Sequence, residues 1–225
     1  MSWGSWGSEA AGFDLNPAQF FQFDLSILRY QPKEIKEGGL FIPQKNLNKY
    51  ALPSFSALMG EESFADWSVG WSTEGLAFDV LIQKPFEEAV YPEITKGDSV
   101  EIFIDTRDVK TSGFNTRFCH YFYFFAEPIE GRQKGELTHF RTEDAHPLCL
   151  PEDLVLEAEL SSKSYRLKIF IPAECLVGYD PNEFNRMGFS YRVNRTKEPP
   201  QHFLTDSKEF TLEQQPSLWT SIKLV

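Results

Sequence analysis

The stretch from Lys96 to Asp108, KGDSVEIFIDTRD, constrains the fold more than any other. Val100, Ile102 and Ile104 alternate with Glu101, Phe103 and Asp105. Successive side chains of an extended chain point to opposite faces, so a period of two predicts a half-buried β-strand. One face is built for a core. The other sets two carboxylates around a phenyl ring, which suits either a solvated surface or a concave, partly covered one. The same period recurs along the chain. Thr73-Glu74-Gly75 reads as a hairpin turn, and Leu76, Phe78, Val80 and Ile82 share one face of the strand after it. RFCHYFYFF is a strongly aromatic strand, and a short strand is expected near Glu136–Arg141. LVLEAEL and YRLKIFIP flank the turn Ser161–Ser164. Met187, Phe189, Tyr191 and Val193 share one side of a later strand, and SLWTSIKLV is the last. FFQFDLSILRY reads as a strand or a short helix, and IPAECLVGYDPNEF as a helical turn followed by a loop.

Many short strands parted by turn residues imply an all-β, antiparallel β-sandwich. Residues 1–12, with the SWGSWGS repeat, read as a flexible tail. Residues 13–225 read as a single sandwich domain, with 13–58 an irregular N-terminal extension packed on it. The 21 Phe, 8 Tyr and 5 Trp fit strands with large buried areas. The net charge of −11 argues against nucleic acid and anionic membranes as partners, since both need a positive surface. It suits neutral ligands, cations or basic partners. The three cysteines, Cys119, Cys149 and Cys175, form no CxxC pair, so neither a disulfide framework nor a zinc site is expected, and a reducing compartment is the mild inference. One bridge plus a free thiol stays open. The N-terminus lacks the regions of a signal peptide, and no run reaches the roughly 18 apolar residues of a membrane helix. The expectation is a soluble protein, cytoplasmic by default, secreted or periplasmic if a leader has been removed.

The order of these motifs resembles the carbohydrate-binding module of family nine and its DOMON-like relatives. The resemblance rests on STEGLAFDVLI, GDSVEIFIDTR, RFCHYFYFF, YRLKIFIPAECL, MGFSYRVNR and SLWTSIKLV, in that order, and covers roughly residues 40–225. It implies a β-sandwich that binds a ligand on one sheet face without chemistry, with structural calcium in some members. In the sugar-binding members two tryptophans sandwich a sugar ring, and a Glu on the DSVE strand helps hold its hydroxyls. Glu101 matches that Glu. The resemblance places the ligand-facing polar position of the aromatic strand near His120, and further polar contacts at Arg192 and Asn194. The two segments that carry the tryptophans hold Tyr91 and Phe203 here instead.

The candidate ligand residues are therefore Glu101, Phe103, His120, Arg192, Asn194, Tyr91 and Phe203. Ser190, Arg192 and Asn194 share a strand face, and Arg192 suits pairing with Glu101 or Asp105 across the sheet, as a structural pair or a ligand fork. For Asp105 the plain expectation is a salt bridge with Arg107 or Arg117. Asp105 and Asp108 are weak calcium candidates, because calcium needs six to eight oxygens and their spacing matches no known loop. No cofactor is otherwise expected. An enzyme is not expected either. Glu101 and Asp105 lie about 13 Å apart along a strand, beyond the roughly 5–9.5 Å of a glycosidase pair. Cys119 and His120 point to opposite faces and cannot easily pair. His120, His139, His146 and His202 sit in no zinc motif. The leading expectation is a non-catalytic binding module for a carbohydrate or other small polar ligand. The alternative is a structural or protein-interaction domain that kept the sandwich and lost the ligand. A further reading has residues 13–58 covering the Glu101 face.

Overall fold

The computed structural model describes residues 25–32, 39–208 and 210–225. The tail 1–12 lies outside the described residues. Among the described residues there are eleven strands: β1 (Leu25–Arg29), β2 (Ala65–Ser72), β3 (Gly75–Ile82), β4 (Ser99–Asp105), β5 (Cys119–Ile129), β6 (Arg132–Glu136), β7 (Val155–Leu160), β8 (Tyr165–Pro172), β9 (Arg186–Asn194), β10 (Gln201–His202) and β11 (Thr220–Leu224). Their neighbour order is β6-β5-β4-β9-β11-β1-β2-β3-β8-β7, with β10 beside β9. This path doubles back at β1 and makes two layers. Leu25–Ile27 pair with β11 of the first layer, and Leu28–Arg29 pair with β2 of the second.

The alternation at β4 does what the period of two requires. Val100, Ile102 and Ile104 are fully buried between the layers. Phe122 and Phe124 of β5 and Met187, Phe189, Tyr191 and Val193 of β9 lie beside them. The second layer answers with Leu76, Phe78, Val80 and Ile82 of β3 and with Leu167 and Ile169 of β8. Across the gap Phe78 stacks on Phe189 at 6.2 Å between centroids, and Trp67 on Tyr191 at 4.1 Å. The β2–β3 hairpin turns through Thr73 and Glu74, with Ser72 facing Gly75. Gly75 has φ +143, and a Cβ there would meet the Ile171 carbonyl at 2.2 Å, so the turn requires glycine.

Three sequence expectations are corrected, and the open alternative of one bridge plus a free thiol is decided. The sandwich is not wholly antiparallel: β1 runs parallel to both its neighbours, because it crosses from one layer to the other. The short strand of the polar excursion is Arg132–Glu136, where it pairs with β5, and Leu137–Arg141 leaves the sheet. The described part of the 13–58 segment does not cover Glu101. Ile42 and Tyr50 pack with Tyr30, Ala77 and Phe170 on the outside of the second layer. Lastly, Cys149 and Cys175 form a disulfide with Cα atoms 5.1 Å apart, and Cys119 stays free and buried. The bridge ties the loop before β7 to the turn after β8, a proximity that sequence spacing does not reveal. It is also at odds with a reducing compartment, since such bridges persist in oxidising ones. None of the described helices is long and apolar enough to cross a membrane.

The bridge closes a loop of 26 residues' separation. Chain-entropy arguments assign such a cross-link about 3 kcal/mol. Cys149→Ser with Cys175→Ser is expected to lower the unfolding free energy by about that much, read from urea titrations. An unchanged midpoint would count against the bridge.

Candidate functional site

The outer face of β4 is built residue by residue from the GDSVE segment. Gly97 lets the preceding loop close, since a Cβ there would lie 2.6 Å from the Val90 nitrogen. The buried Asp98 accepts the main-chain N–H groups of Glu87 at 2.8 Å and Thr196 at 3.0 Å, and pairs with Arg195. It thereby pins the loops on either side of the face. Ser99 donates its hydroxyl to the Ile94 carbonyl at 2.8 Å and accepts from the Asn194 amide at 2.9 Å.

Glu101 stands next on this face and is 0 % exposed. Strand pairing sets it opposite Arg192 of β9 and Tyr123 of β5. Its carboxylate accepts from Arg192 Nη2 at 2.9 Å, from Arg192 Nε, from Asn194 Nδ2 at 2.8 Å and from the Tyr121 hydroxyl. A carboxylate stripped of water needs such donors, and the two-pronged guanidinium is the strongest of them. Burial, then the Glu101 charge, push the Tyr121 phenol well above its ordinary range, so it remains a donor. Arg192 also approaches Glu213 at 3.7 Å, and the Glu213 side chain is partly exposed. Tyr91 lies half-buried at the same face, 6.2 Å from Tyr123, with the Arg132 guanidinium 4.7 Å over its ring.

The structure thus gathers Glu101, Arg192 and Asn194 on one face, with Tyr91 at its margin. Phe103 is on that face but fully buried, stacked on Tyr121 at 4.9 Å and 5.8 Å from Trp219. It offers a ligand no surface. Leu212 and Trp219 join Ala89 and Ile94 as the cover. Two residues are elsewhere. His120 pairs with Ile104 and so points into the other face, away from Glu101. Tyr121, one residue on, takes the place expected for it. Phe203 is buried between the layers against Tyr191 and Phe189. Sequence reading did not single out Tyr121, Asp98, Arg195 or Glu213. Parity within RFCHYFYFF allowed either His120 or Tyr121, and only the pairing register decides between them.

The salt bridges expected at Asp105 do not form. Its oxygens accept the Arg107 and Val109 main-chain N–H groups at 2.9 and 2.6 Å. Arg107 bonds the Gly178 carbonyl, and Arg117 pairs with Asp144. Asp108 faces Lys110 at 2.7 Å and the Ser221 hydroxyl at 2.7 Å. Donors and a cation thus occupy the oxygens that calcium would need. Cys119 has its thiol pushed up to about 12, by burial and then by Asp105, so no reactive thiolate forms.

Ligand atoms of His120, Glu136 and His146 lie within 4.8 Å of one another. Glu136 Oε1 meets His120 Nδ1 at 2.9 Å, His146 Nε2 at 3.0 Å and the Thr138 hydroxyl at 2.7 Å, and Oε2 accepts the Cys149 N–H at 2.7 Å. The imidazoles stack with centroids 4.3 Å apart and turn His120 Nδ1 and His146 Nε2 onto the same oxygen, Glu136 Oε1. With Thr138 and the Cys149 N–H also bonded to Glu136, the cluster forms a buried hydrogen-bond hub. Burial works to raise the Glu136 carboxyl, but the bonds from His120 and His146 hold it down at about 2. Burial lowers His120.

No protein-family model and no curated protein matches the sequence. Solved structures do share the fold. A carbohydrate binding module of family nine from Caldicellulosiruptor kristjanssonii in complex with cellotriose is 16% identical, covers 90% of this chain and 93% of that one, and has a TM-score of 0.62. A module of the same family and organism in complex with glucose is 17% identical over 91% of this chain and 96% of that one, also at 0.62. The fold is therefore that of the family nine module, as the motif order implied.

Two outcomes follow from this geometry. Glu101→Ala is expected to cost about 3–5 kcal/mol, because it strands the buried Arg192 charge. The double change Glu101→Leu, Arg192→Met should cost much less than the sum of the single changes, read by urea unfolding. Glu136 is held below its unfolded value of 4.5. The stability it contributes is therefore complete above 4.5 and lost as pH falls toward 2. His120 lies below 6.5 and acts in the same direction, through loss of stability as pH drops beneath that value. Glu136→Gln should flatten the acid limb of the stability–pH curve.

Proposed function

We propose that this protein is a non-catalytic binding module that takes a carbohydrate or other small polar ligand on the outer face of the first layer. The supporting observation is the Glu101–Arg192–Asn194 fork, set on a sheet face of a fold whose solved neighbours hold cellotriose and glucose. The geometry refines the role of each residue. Glu101 acts indirectly, since its oxygens are filled by the chain. It holds Arg192 and Asn194 in place. Ligand hydroxyls meet the Arg192 guanidinium and the Glu213 carboxylate, and Tyr91 gives the ring against which a sugar lies. Catalysis has no support on this face. Glu101 and Asp105 both spend their oxygens on donors of the chain, so neither serves as a free acid or base.

One observation favours a second reading, a structural or protein-interaction domain that lost its ligand. Leu212 and Trp219 lie over the face, and every donor Glu101 needs is internal. Calorimetric titration with glucose, cellotriose and a wider set of soluble glycans separates the two. Saturable heat that weakens about tenfold, or 1.4 kcal/mol, in Tyr91→Ala supports binding at this face. Absence of heat with every glycan favours the second reading. Binding that Tyr91→Ala leaves untouched counts against this face.

A further inference from the structure

The hub around Glu136 lies on the side of β5 that faces away from Glu101. His120 of β5 and Glu136 of β6 belong to paired strands, and Glu136 stands opposite Phe122. His120 is two residues from Phe122 and so shares its face. His146 comes from the loop 137–154 and closes over both, with the Phe140 ring edge-on to it at 4.8 Å. The side chains of His120 and Glu136 are fully buried, and that of His146 is 3 % exposed.

The protons of this cluster do not balance with neutral imidazoles. His146 Nδ1 lies 2.7 Å from the Arg117 carbonyl oxygen, which only accepts, so Nδ1 carries a proton. In a neutral ring Nε2 then holds a lone pair. It faces Glu136 Oε1 at 3.0 Å, which is an acceptor as well. Two acceptors at that distance require a positive charge between them, either a second proton on the ring or a metal ion. The geometry favours the ion. His120 Nδ1 approaches the same oxygen at 2.9 Å, and the three atoms lie within 4.8 Å of one another. His120 Nε2 has no hydrogen-bond partner among the described residues, so no bond fixes that ring's tautomer and Nδ1 can present its lone pair. Ligand atoms held at zinc distances lie about 2.9 Å apart at a right angle and about 3.3 Å apart at the tetrahedral angle. The two measured contacts fall at that spacing. The outer partners fit too. A metal-binding imidazole donates its other N–H to a carbonyl or carboxylate, and a ligating carboxylate is held by further donors. The Arg117 carbonyl fills the first role. The Cys149 N–H on Oε2 and the Thr138 hydroxyl on Oε1, both at 2.7 Å, fill the second.

We infer that His120 Nδ1, Glu136 Oε1 and His146 Nε2 bind a divalent metal ion of the zinc class. Two imidazoles and a carboxylate suit zinc, whereas calcium and magnesium take oxygen ligands. Water supplies the remaining ligand of a zinc site with three protein donors. The ion acts as a clasp. The loop 137–154 contains no strand, and the ion ties it to β5 and β6 close to its other tie, the Cys149–Cys175 bridge. The ligands come from two strands and a loop, so no local motif in the sequence marks them. The site shares no ligand residue with the Glu101 face and does not depend on the sugar-binding reading.

The test is a titration of the full chain with zinc at neutral pH, after metal has been stripped with EDTA. Calorimetry gives stoichiometry and affinity, and ¹H–¹⁵N spectra of the histidine rings report which nitrogens take the metal. One zinc per chain is expected, with shifts at His120 Nδ1 and His146 Nε2 and none at the exposed His139. The melting temperature should rise with zinc, since the ion binds only the folded chain. His146→Gln and, separately, Glu136→Gln should weaken zinc binding about a hundredfold or more, while His139→Gln leaves it unchanged. Thermal melts verify that the variants fold, and the ring spectra of the unaltered chain decide the matter without them. A chain that takes up no zinc overturns the site. So does zinc that shifts only His139 or His202, and so does a His146 ring that keeps protons on both nitrogens when zinc is saturating.

Discussion

The fully buried carboxylate of Glu101 is the constraint around which the first layer is organised. Without solvent it needs donors from both neighbouring strands, Tyr121 on β5 and Arg192 with Asn194 on β9. These partners fix the register of three strands at once. A slip of one residue would turn Arg192 into the core and Val193 out of it. A buried ion pair is poor as net stabilisation but strong as a penalty on every wrong arrangement. The interaction that makes the face a candidate site is therefore also one that specifies the sheet.

Three aromatic-rich clusters surround this arrangement and account for the many aromatic residues. The largest fills the gap between the layers. The second lies over β4 and β5, closed by Leu212 and Trp219. The third seats Tyr30, Ile42 and Tyr50 on the outside of the second layer. There Gly70 matters, because a Cβ would come within 3.0 Å of the Tyr30 ring. Each layer is thus covered over much of its outer face, and the open places among the described residues include the margin by Tyr91 and Glu213, a cavity beside β2 and a cavity of about 690 Å³ beside Tyr30 and Phe170. All are places where segments outside the sheet run past its residues.

Much of the fold was legible because periodicity is a local property. Val100, Ile102 and Ile104, the β2–β3 hairpin and the apolar side of β9 all follow from alternation and turn residues. The order of motifs then pointed to the family nine fold. The site was legible only in part. Glu101, Arg192 and Asn194 do share a face, as parity required. His120 and Phe203 do not join them, because parity within a strand that is aromatic on both faces does not say which face is which, and a loop's sequence does not say which side of a sheet it crosses.

By itself the sequence determined the strands, their apolar faces and the residues able to pair across β4 and β9, since each depends on neighbours a few positions away. The tertiary structure alone decided the rest. Residues 212–219, more than a hundred positions from Glu101, close its face. β1 joins two layers in parallel, and Cys149 meets Cys175. The physical reason is the same in each case. Such contacts are set by how the layers and their covering segments pack, and no local period records a distance between residues far apart in the chain.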